Sequence, residues 1–175
     1  MTPPEFSRPV RIDTIGDEPR PVAIEAGPEE RTALASRFGL VEIRRLEAEA
    51  KVMRSGAELT AAGRMTASAV QSCVASGEPV PAELDEPFQI VFRPLSSDGR
   101  PDEEMELNEA ELDVVFYEGS AIDLGEAVAE TLALALDPFP RAPGAAESLK
   151  AAGVKSEEEA GPFGALAGLR DKMKK

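Results

Sequence analysis

The side chains best suited to chemistry are scarce in this sequence of 175 residues, which contains no histidine and one cysteine, Cys73. Without histidine, a Ser-His-Asp triad, a Cys-His pair and imidazole metal ligation are all excluded. One cysteine cannot form an internal disulfide or a thiolate zinc cage. No basic residue lies near Cys73 in the sequence, and its alternating strand pattern favours a buried, inert thiol.

Carboxylates are the remaining candidates for acid–base or metal chemistry. A small carboxylate- or metal-dependent hydrolase could use Asp113, Asp123 and Glu130, with two of them facing each other across a pocket. Asp123 and Glu126, however, have the spacing of a capping box at a helix N-terminus. The sequence offers no nucleophile or glycine cradle beside them. We therefore expect a protein that is not an enzyme, with the hydrolase as the alternative.

The motifs that bind cofactors and metals are missing from the sequence, which agrees with the expectation of a protein that is not an enzyme. The acidic segment at residues 94–111 does not have the spacing of a calcium-binding loop. No G-x-G-x-x-G or Walker sequence occurs, so nucleotide binding has no support. We expect no cofactor, no bound metal and no small-molecule substrate.

The net charge of −14 is concentrated in one segment. Residues 76–137 hold 17 acidic and 2 basic side chains, whereas residues 1–75 and 138–175 have net charges of −1 and +2. Such an acidic segment repels phosphate backbones and favours a basic protein partner. A surface that serves only solubility is the simpler interpretation.

An RNA-binding face is conceivable only in the nearly neutral first half of the chain. Its candidate residues are four arginines, Arg44, Arg45, Arg54 and Arg64. They are interleaved with glutamates, and aromatic residues for base stacking are lacking, so a mixed solvated surface is favoured.

The compartment is inferred from missing signals. Residues 1–15 lack an apolar core of signal-peptide length, and the longest apolar stretch, residues 127–136, is interrupted by Glu130. A lone thiol fits a reducing environment. We expect a cytoplasmic protein with no membrane partner.

The elements that must position these residues follow from periodicity and capping signals. Short strands are predicted near residues 6–12 and 21–25, a helix from Pro28 to Gly39, and a long antiparallel hairpin across residues 46–65. Further strands are predicted at residues 88–93 and 113–117, and the main core helix at residues 123–136. The predicted fold is α+β, with a mostly antiparallel sheet that could curl towards a barrel and a loosely attached helical tail at the C-terminus.

The composition changes after Pro138, where a proline-rich linker begins. A helical turn or two is predicted at residues 145–151 and a final helix from Ser156 onwards, bearing Phe163, Leu166 and Leu169. We therefore divide the chain into a domain at residues 1–143 and a tail at residues 144–175, partly helical or disordered, that docks on the domain or awaits a partner.

Several sequence strings, taken in order, resemble one family. They are Glu5-Phe-Ser-Arg-Pro-Val, Arg37-Phe-Gly-Leu, Gln71-Ser-Cys73-Val, Gly77-Glu-Pro-Val, Glu86-Pro-Phe, Val91-Phe92, Leu112-Asp113-Val-Val-Phe-Tyr117 and the run from Ile122 to Pro138. Together they resemble the YceD family of bacterial and plastid proteins, over roughly residues 5–143, in the style of its alphaproteobacterial branch.

The resemblance implies a role in large-ribosomal-subunit biogenesis that supports normal levels of its RNA, with no known catalytic activity. It implies as partner a basic large-subunit ribosomal protein or a pre-ribosomal particle, with rRNA as a further candidate. A module that only presents an acidic surface to one basic client is the third interpretation.

The matching strings also give the candidate binding positions, which are Cys73, Asp113, Tyr117, Asp123, Glu126 and Glu130. Many family members carry a cysteine pair at the position of Cys73 and further cysteines after the C-terminal proline segment. Here Ser76 stands where the second cysteine of the pair would fall, and no cysteine follows Pro138. A metal function is therefore not carried over.

Overall fold

The structure is a computed structural model, and it describes residues 4–95 and 113–154. Its strands are β1 (Pro9–Arg11), β2 (Arg20–Glu25), β3 (Glu42–Ser55), β4 (Glu58–Ser72), β5 (Pro79–Pro94), β6 (Asp113–Tyr117) and β7 (Ala121–Asp123). Its helices are α1 (Pro28–Phe38), α2 (Leu124–Ala135) and α3 (Ala145–Ala151), with a 3-10 turn at Ile12–Thr14.

The strands form a five-stranded sheet in the order β2-β3-β4-β5-β6 and a two-stranded sheet of β1 and β7. The pairs β2–β3, β3–β4 and β1–β7 are antiparallel, and β5–β6 is parallel. The predicted α+β class with a mostly antiparallel sheet is confirmed. The sheet does not close into a barrel, because β2 and β6 are its two edges and do not pair with each other.

The long hairpin of β3 and β4 has the predicted alternation. Along most of each strand every second residue is buried, while the residues that alternate with them face outwards; the buried ones are Leu46, Ala48, Ala50 and Val52 of β3 and Leu59, Ala61 and Met65 of β4. The turn lies at Gly56, whose φ of +63° favours glycine.

At Gly63 of β4 the backbone of β3 leaves no room for a side chain. A Cβ there would meet the carbonyl oxygen of Glu49 and would lie 2.6 Å from the Cα of Ala50. Because those atoms belong to the backbone of β3, only glycine fits this position.

One face of the five-stranded sheet packs on α1 and α2. The buried core includes Phe6, Leu34, Phe92, Val128 and Leu132. The opposite face, which we call the outer face, presents the alternate residues of β2 to β5, most of them polar and exposed.

Both main helices begin as the sequence predicts. Pro28 opens α1, the Glu30 carboxylate accepts the Gly27 N–H at 2.7 Å, and Gly39 ends the helix at φ +65°. Helix α2 ends before Asp137, whose carbonyl accepts a 2.8 Å hydrogen bond from the buried Gln71 side chain.

Residues 72–80 and 138–154 belong to a second compact unit. Its apolar cluster comprises Cys73, Ala142 and Ala145, with Ala75 and Val80 packed against it. The helical turns predicted at residues 145–151 form α3.

The domain boundary between residues 143 and 144 stays a prediction. The predicted final helix from Ser156 and most of the acidic segment at 94–111 lie outside the described residues. Within residues 4–95 and 113–154, no helix is long and apolar enough to cross a membrane.

Candidate functional site

The carboxylate of Asp123 joins the N-terminus of α2 to the segment before β1. Its Oδ1 accepts hydrogen bonds from the backbone N–H groups of Arg8, Gly125 and Glu126 at 2.8, 3.0 and 3.2 Å. Its Oδ2 accepts the Ser7 hydroxyl at 2.5 Å. The predicted Asp123 cap is confirmed, and the same carboxylate also holds the N-terminal segment in place. The reciprocal half of the predicted capping box is wrong, because the Glu126 carboxylate bonds to Arg37 instead of returning to the Asp123 N–H.

Gly125 permits the close contact between these two segments. A Cβ at this position would meet the Phe6 carbonyl oxygen and would lie 2.9 Å from the backbone nitrogen of Arg8. The Leu124 N–H donates to the Arg8 carbonyl at 3.2 Å. The Asp-Leu-Gly-Glu sequence therefore has a structural reason for both its acid and its glycine.

Two arginines extend this junction to α1. The Arg8 guanidinium forms a bidentate pair with Glu30, with N–O distances of 2.6 and 2.7 Å, and it lowers the pKa of that carboxyl. Arg37 bonds Glu126 at 2.7 and 3.0 Å and Glu5 at 2.9 Å. The Glu126 carboxylate, followed by Glu5, raises the pKa of Arg37. We call these contacts, together with those of Asp123, the N-terminal clasp.

The three carboxylates of the hydrolase alternative occupy different settings. Asp113 is exposed at the start of β6, Asp123 is held within the N-terminal clasp, and Glu130 is exposed on α2. Within the part of the chain that the structure describes, no hydrogen bond or ion pair joins any two of them, and no group of three metal-ligating side chains forms. This geometry offers no shared acid–base pair.

Tyr117 ends β6 opposite Pro94 of β5 and is half-buried against the main core. Its carbonyl accepts the Leu95 N–H at 2.9 Å. The preceding residue, Phe116, is 57% exposed, so the outer side of this edge strand carries a large apolar group.

Cys73 lies in the second unit, where it is 3% exposed. The Ser76 side chain, followed by the Ala142 N–H at 3.3 Å from Sγ, lowers the pKa of the thiol to about 7. The predicted burial is confirmed. Sequence reasoning missed the lowered pKa, because the donors are neutral groups brought together by the fold rather than neighbouring cations.

The four arginines of the candidate RNA face do not form a strip of free cations. Arg44 pairs with Glu42 at 2.9 Å, Arg45 with Glu47, and Arg64 with Asp85 at 2.5 Å. Arg54 instead donates to the carbonyls of Ile12 and Ile15 at 2.5 and 3.2 Å, so it stabilises the 3-10 turn.

The outer face brings acids together across strands. Glu25 of β2 lies directly opposite Glu47 of β3, and Ala23 lies opposite Glu49. Glu47, which pairs with Arg45, raises the pKa of this guanidinium most, and the charges of Glu25 and Glu83 raise it further. Alternation in the sequence places Glu47 and Glu49 outwards, but the juxtaposition with Glu25 depends on the register of β2, which the sequence does not reveal.

Comparison with known proteins supports the resemblance. The family model described as "Large ribosomal RNA subunit accumulation protein YceD" matches residues 61–170, which is more than half of the chain. The matched range contains most of β4, the strands that follow it, and helices α2 and α3. No curated protein and no solved structure matches the chain.

Proposed function

The chain belongs to the YceD family, and we propose that it is a non-enzymatic factor in large-ribosomal-subunit biogenesis that acts by binding a basic ribosomal protein, pre-ribosomal RNA, or both. The family description, which ties its members to accumulation of large-subunit ribosomal RNA, is the observation that carries this proposal. The described geometry adds support, since Asp123 and Glu126 have structural partners and Asp113 and Glu130 stand apart.

A basic protein is the partner that the charge distribution favours. The chain has a net charge of −14, and its outer face sets Glu25 directly opposite Glu47 across β2 and β3. Three of the four arginines proposed for RNA contact are already in ion pairs. A phosphate backbone would have to displace these carboxylates, whereas lysine and arginine side chains would be attracted by them.

The candidate binding residues divide by accessibility. We propose that the exposed Asp113 and Glu130 and the half-buried Tyr117 contact the partner directly. Asp123 and Glu126 would act indirectly, by holding the N-terminal clasp, and Cys73 by packing the second unit. We further propose that the protein works in the cytoplasm, with residues 1–143 as the binding domain.

Sedimentation of a native lysate tests the proposed function. The protein should migrate with precursors of the large ribosomal subunit at low salt, and it should leave those fractions as salt rises, because the attraction is electrostatic. A profile confined to the free-protein fractions at low salt would contradict the proposal.

Ribonuclease treatment separates the two kinds of partner. In a pull-down from the same lysate, large-subunit ribosomal proteins should remain bound after digestion if the contact is with protein. Their loss after digestion would show that RNA carries the association. The Asp113→Asn, Glu130→Gln double variant should recover less of the partner, with the exposed Asp17→Asn, Glu18→Gln double variant as the charge-matched control.

A further inference from the structure

Strand β2 forms one edge of the five-stranded sheet, and its hydrogen-bonding phase can be read from the structure. The Ala26 N–H donates to the Leu46 carbonyl at 2.9 Å, in the register that pairs β2 with β3. Bonded and non-bonded pairs alternate in an antiparallel ladder, so Val22 and Ile24 bond to β3. Ala23 therefore turns both its N–H and its carbonyl away from β3, towards the open edge.

The open edge is short, but it has enough outward-directed backbone amides and carbonyls to pair with an added strand. Pro21 lies at an outward position, where β3 requires no N–H from it. At the far end, the Glu25 carbonyl accepts the Arg8 guanidinium at 2.8 Å. The carbonyls of Pro21 and Ala23 and the amides of Ala23 and Glu25 remain directed outwards, and β2 pairs only with β3 among the described residues.

The outer side of this edge is acidic. Glu25 and Glu47 form a non-bonded pair, the kind whose side chains lie closest, and like charges at such positions disfavour the fold. Glu49 lies on the same face, opposite Ala23. Cationic side chains from an added strand would lie beside Glu25 and would offset the repulsion.

The inner side of the same edge is apolar. An open cleft of about 440 Å³ lies between β2 and β1. Its lining surface is mainly apolar and includes Pro9, Val10, Val22 and Ile24, and it is also bordered by Arg8, Arg11 and Arg20. Side chains of a strand alternate between the two faces, so an added strand would direct every second residue into this cleft.

From these features we infer that the edge of β2 binds an extended protein segment in which basic residues alternate with apolar ones. The segment pairs with Ala23 by β-augmentation, its basic residues lie beside Glu25, Glu47 and Glu49, and its apolar residues enter the cleft. The inference rests on the proposed function in that it takes a basic protein as the partner. RNA is disfavoured because its phosphates would face these carboxylates.

Peptide binding tests the alternation. A short peptide of alternating Lys and Val should bind the full chain about tenfold more tightly than a peptide with the same residues in two blocks, because only the former separates cations from apolar groups on opposite faces. Fluorescence anisotropy gives both affinities. Equal affinities would overturn the inference.

Backbone pairing is tested independently of charge. N-methylation of the alternating peptide at the residues whose amides face β2 should abolish binding, and methylation at the intervening residues should not. The Ala23 amide should exchange quickly in the free protein and slowly in the complex, whereas the Ile24 amide should be protected in both. An Ala23 amide that stays unprotected at saturating peptide, or is protected equally by a single-stranded RNA, would overturn the inference.

The contribution of the acidic side chains is tested with neutral Gln variants, which remove the negative charge without introducing a positive one. The Glu25→Gln, Glu47→Gln double variant should lose about tenfold in affinity for the alternating peptide, while the control variant Glu29→Gln, Glu118→Gln, whose two residues are exposed, should lose little. If the double variant binds the peptide normally, the inference is wrong. If the double variant binds the peptide poorly but still migrates with ribosomal precursors, the proposed function stands, and the β2 edge is not the site that binds those precursors. If the wild-type chain binds the peptide but never migrates with precursors, the proposed function fails instead.

Discussion

Gly125 belongs to the local capping sequence of α2 and also contacts a segment that is distant in the chain. It lies in the first turn of α2, where alanine would normally be the better helix former. The backbone of Phe6 and Arg8 approaches it so closely that a side chain has no room. The Asp123 carboxylate then fixes this approach through donors from both segments.

A methyl group at this position should therefore be costly. We expect Gly125→Ala to lower the free energy of unfolding by about 2 kcal/mol or more, because the clashing atoms belong to the backbone and cannot rotate away. Urea unfolding measures this change. Gly16→Ala is the control, since its Cβ would meet nothing within 4 Å; equal stability of the two variants would contradict the close contact.

The thiol of Cys73 provides a second test at the scale of one residue. Its thiolate absorbance should rise with a midpoint at about pH 7, and Ser76→Ala should move the midpoint towards the ordinary value of 9.0. Because the pKa is lowered in the folded state, the linked stability is present above the pKa of the unfolded thiol and is lost as pH falls through about 7. A midpoint unchanged by Ser76→Ala would show that the side chain of Ser76 does not support the thiolate.

At the scale of elements, β3 stabilises the segment between β1 and β2 in addition to its own strand pairing. Arg54 near its end donates to the carbonyl of Ile12 in the 3-10 turn and to that of Ile15 just after it, and its own N–H donates to the Gly16 carbonyl at 2.8 Å. The turn connects β1 to β2, so one side chain holds together the two strands that border the cleft.

Substitution of Arg54 should consequently affect stability rather than surface charge alone. We expect Arg54→Met to cost about 1.5–3 kcal/mol, the range for hydrogen bonds made by charged groups. Arg44→Met should stay within about 0.5 kcal/mol, because its pair with Glu42 is exposed. Thermal unfolding followed by circular dichroism checks both. If the two variants are equally stable, Arg54 has no structural role and its assignment to an RNA face regains support.

At the scale of the whole molecule, the dominant feature is the net charge of −14, which gives a pI near 4.5. Self-repulsion of this size opposes the compact state. The ion pairs of the N-terminal clasp act in the opposite direction, but they are few and partly exposed.

Salt should therefore have opposite effects on stability and on binding. Raising the ionic strength from about 0.01 M to about 0.15 M, which shortens the screening length from about 30 Å to about 8 Å, should raise the melting temperature. The same change should weaken association with a basic partner. Calorimetry and anisotropy on one preparation measure both, and a melting temperature that falls with salt would show that attractive pairs dominate the charge balance.

The sequence predicts most of the elements because their signals are local. The alternation of Leu46 to Val52, the proline that opens α1 and the Asp123 cap each act within a few residues. The absence of histidine and the acidic segment follow from composition alone and limit the chemistry before any fold is known. The family resemblance is likewise carried by short ordered strings, and the family model confirms it.

The contacts between distant segments were decided only by the tertiary structure. The pairing of Arg37 with Glu5 and Glu126, the use of Arg54 by the 3-10 turn and the register that sets Glu25 opposite Glu47 join residues far apart in the chain. Register depends on which of several similar alternating strands pair, and that choice is made by packing against α1 and α2. Composition and local pattern thus determined the net charge, the absence of imidazole chemistry and most of the elements, while long-range packing determined which charges are paired and which strand edge is left open among the described residues.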